Sequence, residues 1–425
     1  MPIVLDKLVI EGNHRLDGTV TISGAKNAAL PILAAALLTD DRTVIRNVPV
    51  LRDITTMLRI FKNLDVRARQ DDDVVTIEPK GSKKYIAPYE LVSQMRASIC
   101  VLGPLLAKHK YAEVSYPGGC VIGPRPIDLH LKGLEALGAR IKVERGYIIA
   151  DGSKMRGSHI YLGGHYGSSV LATANVMMTA VLTKGVTMIE NAACEPEMAD
   201  LTAFLMKMGA KIKGQGTHRL IIEGVKRLHG ADHSVIPDRI EAGTYAIAAA
   251  ITQGDVILRN ARLEHMTAVA DKLTESGVSL KRVPNGFRVK YVKKLKPIDV
   301  TTLPYPGFPT DMQAQLMSLM TVTDGISVIT EKIYPDRFTH ISELNRMGAG
   351  IRLEGASAII KGVAHLSGAP VMASDLRASA AMVLAGLVAK GRTDVRRIYH
   401  LDRGYEKLEQ KLSKLGAKVW REKGN

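Results

Sequence analysis

A small-residue corner recurs along this chain of 425 residues at a nearly fixed interval. Leu137-Gly138-Ala139, Met208-Gly209-Ala210, Ser276-Gly277-Val278, Met347-Gly348-Ala349 and Leu415-Gly416-Ala417 place their glycines 71, 68, 71 and 68 residues apart. One period upstream, Asn63-Leu64-Asp65 stands in the same place without the glycine. Six units of about 70 residues therefore fill the chain. A unit this small cannot bury its own apolar face, so the copies must pack on one another.

Each unit has the same grammar. An Ala-rich helix comes first, at 28–38, 97–107, 171–182, 242–251, 312–322 and 376–389. These segments are apolar nearly all round, the mark of a buried helix. A turn follows, usually with glycine (Gly185, Gly254, Gly325, Gly391), then a short strand such as 186–189 or 255–258. A second, amphipathic helix comes next, for example 198–208 or 405–415, and the corner leads to a further strand, as at 141–144 or 351–353. The alternation predicts an α/β fold in which each unit is a small sheet over one internal and one outer helix. No Pro- or Ser-rich linker divides the chain, and the expected boundary lies after three units, near 230–237.

Polar residues cluster where the internal helices begin: Ser23-Gly24-Ala25-Lys26-Asn27, Gln94-Met95-Arg96, Gly167-Ser168-Ser169, Pro237-Asp238-Arg239, Pro309-Thr310-Asp311 and Ser374-Asp375. Helix starts carry free N–H groups and partial positive charge, so they favour phosphates. Three copies around a pseudo-threefold axis in each half would converge these starts, and two facing halves would enclose an anion. Ordinary capping accounts equally well for Ser23, Ser374 and Asp375. It accounts poorly for Lys26, Asn27 and Arg96 together, because cations are unfavourable at a helix start.

The formal net charge of +16 fits an anionic substrate, nucleic acid or a membrane surface. The basic residues are spread along the chain, and 4% aromatics are too few for a base-stacking platform. The longest apolar runs are about a dozen residues where a membrane span needs about 20, so no membrane insertion is expected. Cys100, Cys120 and Cys194 form no C-x-x-C pair, which leaves no zinc motif and suits a reducing cytoplasm. The first residues lack a signal-peptide pattern, which also points to the cytoplasm. Ser23-Gly24-Ala25-Lys26 satisfies Ser-x-x-Lys, but the partner signatures of a serine acyl enzyme are missing. With no dinucleotide-binding or P-loop motif, neither cofactor nor metal is expected.

One loop carries the clearest chemistry. Pro117-Gly118-Gly119-Cys120-Val121-Ile122-Gly123-Pro124-Arg125-Pro126-Ile127 runs into Asp128-Leu129-His130. Glycines allow a backbone to approach a ligand closely. Two prolines fix the surroundings of Arg125, whose fork is then ready for an anion. A thiol near a fixed cation ionises more readily than a free one. The combination suggests a working cysteine over an anionic substrate.

With this loop, the chain resembles the UDP-N-acetylglucosamine enolpyruvyl transferase family of bacterial wall synthesis over essentially its whole length. The resemblance is carried by Ser23 to Ala28, the Cys120 loop through His130, Tyr305-Pro306-Gly307-Phe308-Pro309-Thr310-Asp311-Met312-Gln313 and Arg337-Phe338. Ser374-Asp375-Leu376-Arg377-Ala378-Ser379 and His400-Leu401-Asp402-Arg403-Gly404-Tyr405 complete it. It implies two inside-out α/β barrel domains, each of three βαβαββ repeats: 25–235, and 1–24 with 236–425. It implies transfer of the enolpyruvyl group of phosphoenolpyruvate to the 3'-hydroxyl of UDP-N-acetylglucosamine by addition and elimination, releasing phosphate. Peptidoglycan synthesis, and through it cell shape and division, would depend on the product.

The resemblance also assigns residues. Asp311 attends the sugar hydroxyl as base or orienting group. Cys120 is the proton donor, takes a covalent phosphoenolpyruvate adduct and is the target of fosfomycin. Lys26, Arg125 and Arg403 hold phosphoenolpyruvate, with Asn27 beside them. Arg96 and the run Arg125, Pro126, Ile127, Asp128 and Leu129 hold the nucleotide sugar, with Ile333 touching it near Asp311. Asp375 and Arg377 line the site. Arg377 and Arg337 read equally well as surface ion pairs, and Cys100 and Cys194 read as structural. Ser169 and Val170 are expected nucleotide-sugar ligands, but the lysine that family members carry just before them is absent: none lies between Lys154 and Lys184. Hydroxyls, backbone N–H groups or His165 would have to serve the diphosphate. The Cys120 loop is expected to close over the first-bound nucleotide sugar. Two rival readings remain: a shikimate-type enolpyruvyl transferase of the same fold, and a basic nucleic-acid-binding repeat protein. The sequence does not fix the oligomeric state.

Overall fold

The computed structural model describes residues 6–117, 127–164 and 167–423. They divide into two compact units, one drawn from 24–236 and the other from 6–23 with 237–423. Each unit has its own apolar core, Ala25 to Ile236 in the first and Leu8 to Val419 in the second.

Helices with no polar face must be covered on every side, and in each unit three such helices pack against one another. In the first unit the inner helices are Lys26–Ala35, Leu102–His109 and Val170–Ala180; in the second they are Arg239–Ile251, Gln313–Thr321 and Leu376–Val388. Six four-stranded sheets, three per unit, lie outside them. Their strands alternate buried and exposed residues, as where Val75 and Ile77 face inward along Val74–Glu78, so one face of each sheet meets helices and the other meets water. This is the expected inside-out α/β architecture of βαβαββ repeats.

All six sheets share one plan: a first strand parallel to the second, then two antiparallel neighbours. Thus His159–Tyr161 runs parallel to Val186–Glu190, which is followed by Arg219–Glu223 and Lys211–Lys213. Two sheets exchange their first strands. Asp17–Thr21 leads into the inner helix Lys26–Ala35 yet pairs with Asp255–Arg259, while Asp232–Ser234 leads into Arg239–Ile251 yet pairs with Thr43–Arg46. The chain passes from one unit to the other directly after each exchanged strand, at Ser23–Gly24 and Ile236–Pro237. The sheet of the sixth repeat takes Lys7–Glu11 as its third strand, between Arg392–Arg396 and Lys418–Glu422.

The recurring corners end the outer helices. Gly138, Gly209, Gly277, Gly348 and Gly416 all take positive φ between 92° and 104°, and Asp65 takes the same place at 56°. After Asp65, Gly138, Gly209, Gly348 and Gly416 the N–H of the following residue reaches back to close a Schellman cap, as from Ala349 to the Leu344 carbonyl (3.1 Å) and from Val66 to that of Phe61 (2.9 Å).

Several helices depart from the expected limits. The segment at 97–107 starts as a 3-10 turn, Arg96–Val101, and becomes α-helical only at Leu102, because Pro104 has no N–H for the Cys100 carbonyl. The segment at 312–322 likewise opens with a 3-10 turn, Thr310–Met312. The helix expected over 405–415 is only Leu408–Lys414: Lys407 is left-handed, and Tyr405 turns into the core. Among the described residues no helix is long and apolar enough to cross a membrane.

Gly348 isolates the backbone cost of the corner, since a Cβ there would meet nothing within 4 Å. Gly348→Ala is expected to lower stability by about 1 kcal/mol, read as a lower melting temperature. An unchanged melting temperature would contradict the left-handed cap.

Candidate active site

In the second unit, polar groups gather where the inner helices begin. The turn Thr310–Met312 presents Asp311 to two arginines. Arg337 Nη1 donates to its Oδ1 and Arg377 Nη2 to its Oδ2, both at 2.8 Å. The arginine side chains are 6% and 4% exposed, so neither is a surface pair; Asp311 keeps 28% exposure and can meet a ligand. Burial alone would push this carboxyl up. The guanidiniums of Arg377 and Arg337 outweigh it and hold Asp311 well below the usual carboxylate range. Burial would likewise lower Arg377, but the Asp311 charge dominates and raises it.

Arg377 is itself held in place. Its Nη1 lies 3.2 Å from the hydroxyl of Tyr405, whose ring sits 5.5 Å beneath the guanidinium. The Tyr405 oxygen also meets Thr244 Oγ1 (2.9 Å) and Gln315 Nε2 (3.3 Å). Asp375 caps Leu376–Val388, accepting from the N–H groups of Arg377 (2.8 Å) and Ala378 (3.0 Å). Of the three suspected caps it alone does this for its inner helix: Ser374 bonds Thr339, and the cap position before Lys26 is Ala25. Ile333 is half-buried after the strand Ile326–Thr330, and half-buried Arg403 ends the turn Leu401–Arg403.

In the first unit, Lys26 opens its inner helix with Nζ 3.1 Å from Asp53 Oδ2, both side chains nearly buried. Asn27 beside it is half-buried. Arg96 opens the 3-10 turn, and Asp128 opens the outer helix Asp128–Ala136. Ile127 is buried, Asp128 exposed and Leu129 half-buried. Ser169 caps Val170–Ala180 through a long 3.4 Å bond from Ala172 N–H, and Val170 is half-buried. Cys120, Arg125, Pro126 and His165 lie outside the described residues.

One buried amide ties together the segments that begin at Arg96, Asp128 and Val170. Asn175 Nδ2 donates to the Ile99 carbonyl (3.0 Å) and meets His130 Nδ1 (2.8 Å), while Oδ1 accepts from Gly103 N–H (2.9 Å). His130 Nδ1 must be the acceptor, so its proton sits on Nε2. Burial, with a smaller push from the Arg96 charge, lowers this imidazole to about 3. Sequence reasoning gave no site role to Asp53, Asn175 or Tyr405. The only signal was an Asn amid the apolar helix at 171–182, where an unpaired amide would be costly.

The two other cysteines are inert by environment. Burial pushes the Cys100 thiol up to about 12, and burial with the nearby Glu195 charge pushes Cys194 up to about 11. Among the described residues no cluster of His, Cys, Asp and Glu could hold a metal. A concavity of about 920 Å³ lies elsewhere in the first unit, beside Leu58, Arg59, Lys62 and Arg67, and none of the site residues lines it.

Repeats, inner helices and a clamped aspartate define a class. The profile of the family described as EPSP synthase (3-phosphoshikimate 1-carboxyvinyltransferase) matches residues 10–412. The solved enolpyruvyl transferase NikO of Streptomyces tendae superposes with a TM-score of 0.89 over 99% of this chain and 100% of its own, at 24% identity. EPSP synthase of Acinetobacter baumannii gives 0.75 over 98% and 100%, at 19% identity. Likeness at these identities carries the fold alone. Much closer are the UDP-N-acetylglucosamine 1-carboxyvinyltransferases of Methylacidiphilum infernorum, 55% identical over 98% of this chain and 99% of that one, and of Myxococcus xanthus, 52% identical over 99% and 100%. The chain belongs to the UDP-N-acetylglucosamine 1-carboxyvinyltransferase family.

His130 gives a pH test with a fixed sign. The folded imidazole refuses a proton down to about 3, whereas an ordinary one accepts it from 6.5 downward. The unfolded chain therefore binds the extra proton across that window, and stability falls as pH falls, by up to roughly 1.4 kcal/mol per pH unit. His130→Asn should shrink the drop in urea midpoint between pH 6.5 and about pH 4. An equal drop in variant and parent would contradict the buried neutral imidazole.

Proposed function

We propose that this protein transfers the enolpyruvyl group of phosphoenolpyruvate to the 3'-hydroxyl of UDP-N-acetylglucosamine. The hydroxyl oxygen bonds to C2 of the enol ester while a proton is added at C3; a C3 proton and phosphate then leave, regenerating the vinyl group. One observation carries the acceptor: identity of 55% over nearly the full length of an enzyme whose name states it. The shikimate-type proteins are far more distant, at 19% identity. A nucleic-acid-binding reading leaves the clamped, partly open Asp311 without a role.

In this reading Asp311 receives the hydrogen bond of the sugar hydroxyl. An anion held so far below the usual range is a weak base, so it orients the hydroxyl and accepts its proton only as the new C–O bond makes that proton acidic. Arg377 and Arg337 keep the carboxylate charged and aimed. Lys26, Asn27, Arg125 and Arg403 bind phosphoenolpyruvate; Lys26 is supported by Asp53. Arg96, Arg125, Pro126, Ile127, Asp128, Leu129, Ser169, Val170 and Ile333 bind the nucleotide sugar, with Asp375 and Arg377 at its edge. Cys120 supplies the C3 proton, forms the phosphoenolpyruvate adduct and reacts with fosfomycin. The two three-repeat domains are 25–235, and 1–24 with 236–425. The product enters peptidoglycan synthesis in the cytoplasm, where it supports cell shape and division.

Phosphate release from phosphoenolpyruvate tests this directly. Release is expected with UDP-N-acetylglucosamine, not with 3-phosphoshikimate, and is expected to stop after fosfomycin. The reverse acceptor preference would overturn the reading. Cys120→Asp should retain turnover and resist fosfomycin; a variant as sensitive as the parent would remove Cys120 from its role.

Native alkylation at about pH 8 is a second check, because Cys100 and Cys194 stay protonated there. A single label on Cys120, blocked by fosfomycin, is expected. Comparable labelling of Cys100 or Cys194 would contradict their inert environments.

A further inference from the structure

We infer that Glu331 is a positioning residue for the nucleotide-sugar acceptor, aligning Ile333 and Asp311 through one buried carboxylate. The inference rests on the reading of Ile333 and Asp311 given above. Glu331 follows the strand Ile326–Thr330 and is 0% exposed. Its Oε1 accepts from Thr302 Oγ1 (2.7 Å) and from the N–H groups of Ile333 (2.8 Å) and Tyr334 (3.0 Å). Its Oε2 accepts from Thr310 Oγ1 at 2.9 Å.

The direction of every bond is fixed. Thr302 Oγ1 already accepts from Lys332 N–H (2.9 Å), and Thr310 Oγ1 from Arg337 Nη1 (3.0 Å). A carboxylate oxygen can only accept, so each hydroxyl turns its proton to Glu331, and all four partners are donors. Only an acceptor on both oxygens satisfies them. Through Thr310 the carboxylate reaches Arg337, and through Arg337 it reaches Asp311. Through the two amides it sets the backbone that carries Ile333.

The repeats show that the fold alone does not ask for this residue. The position directly after the corresponding strand is Asn47, Asn191, Asn260 and Arg397 in four other repeats, each at positive φ between 56° and 59° or, for Asn260, at 49°. Two of these asparagines have a plain structural role. Asn47 Nδ2 donates to the Val235 carbonyl and Asn260 Nδ2 to that of Ile22, both at 2.8 Å, tying down the end of the parallel neighbour strand. Glu331 meets the same need at Thr302, next to Val300–Thr301, and adds three bonds that point to the Asp311 turn and the Ile333 segment. A buried charge is expensive compared with an amide, so its use in this repeat alone of those five marks a local need beyond folding.

Glu331→Asn, which introduces the residue that three sister repeats carry at positive φ, a conformation Glu331 does not share, separates positioning from folding. It is expected to fold with a melting temperature lowered by a few degrees, to raise the KM for UDP-N-acetylglucosamine by about tenfold or more, and to leave the KM for phosphoenolpyruvate within about twofold. A merely structural Glu331 would change neither KM. Glu331→Gln, closer in size, serves if the asparagine variant does not fold; its NH₂ group must face either the Oε1 donors or Thr310, and the same split of KM values is expected. Deuterium exchange at the Ile333 and Tyr334 amides reads the brace without substrate and should quicken in either variant. Unchanged exchange, or an unchanged sugar-nucleotide KM in an active variant, would overturn the inference. A parent inactive with UDP-N-acetylglucosamine would sink the functional reading instead, and exchange would still judge the brace.

Discussion

Burial of helices that have no polar face is the constraint on which the rest of this molecule depends. Three such helices shield one another on their inner sides, and sheets must cover the outer sides, so each unit has its helices inside and its strands outside. Polar side chains can then reach solvent from an inner helix only at its ends. The starts of these helices are where Lys26, Asp311 and Arg377 are found. These positions are set by the packing: the apolar bundle leaves one kind of position open, and the charged residues occupy it.

The charges at those positions are stabilised in two ways. Asp311 has two guanidiniums and the Glu331 relay behind them; Lys26 has one carboxylate, Asp53. Buried charge is costly unless paired and hydrogen-bonded, and each group here has its partner on another secondary-structure element. A side chain held this way needs little reorganisation to meet a ligand. In the first unit a neutral amide, Asn175, does the work of alignment, and His130 stays uncharged against it.

Much of this was legible in the sequence, and the parts that were not share a cause. The corner spacing disclosed six repeats because a left-handed helix cap tolerates few residues besides glycine; Asp65 shows one that it does tolerate. The inner helices were legible as unbroken apolar runs. Strand pairing was not: Asp17–Thr21 and Asp232–Ser234 precede their helices as any first strand would, and nothing local says that their partners are exchanged. The insertion of Lys7–Glu11 into the last sheet is hidden for the same reason. Arg337 and Arg377 could be read as surface pairs because only the folded chain brings both to Asp311. Tyr405 looked helical by period, but its ring packs against Arg377 and the chain unwinds to allow it. Pattern reports a residue's own environment; it does not report its distant partner.

Asp311 remains a charged acceptor because two buried arginines hold it so. A carbon-13 titration of the carboxylates, with the Asp311 resonance assigned from Asp311→Asn, measures this most directly. No ionisation of Asp311 is expected between about pH 4 and pH 8. A midpoint inside that window would show a carboxyl not held below the ordinary range, and would contradict the clamp and the role built on it.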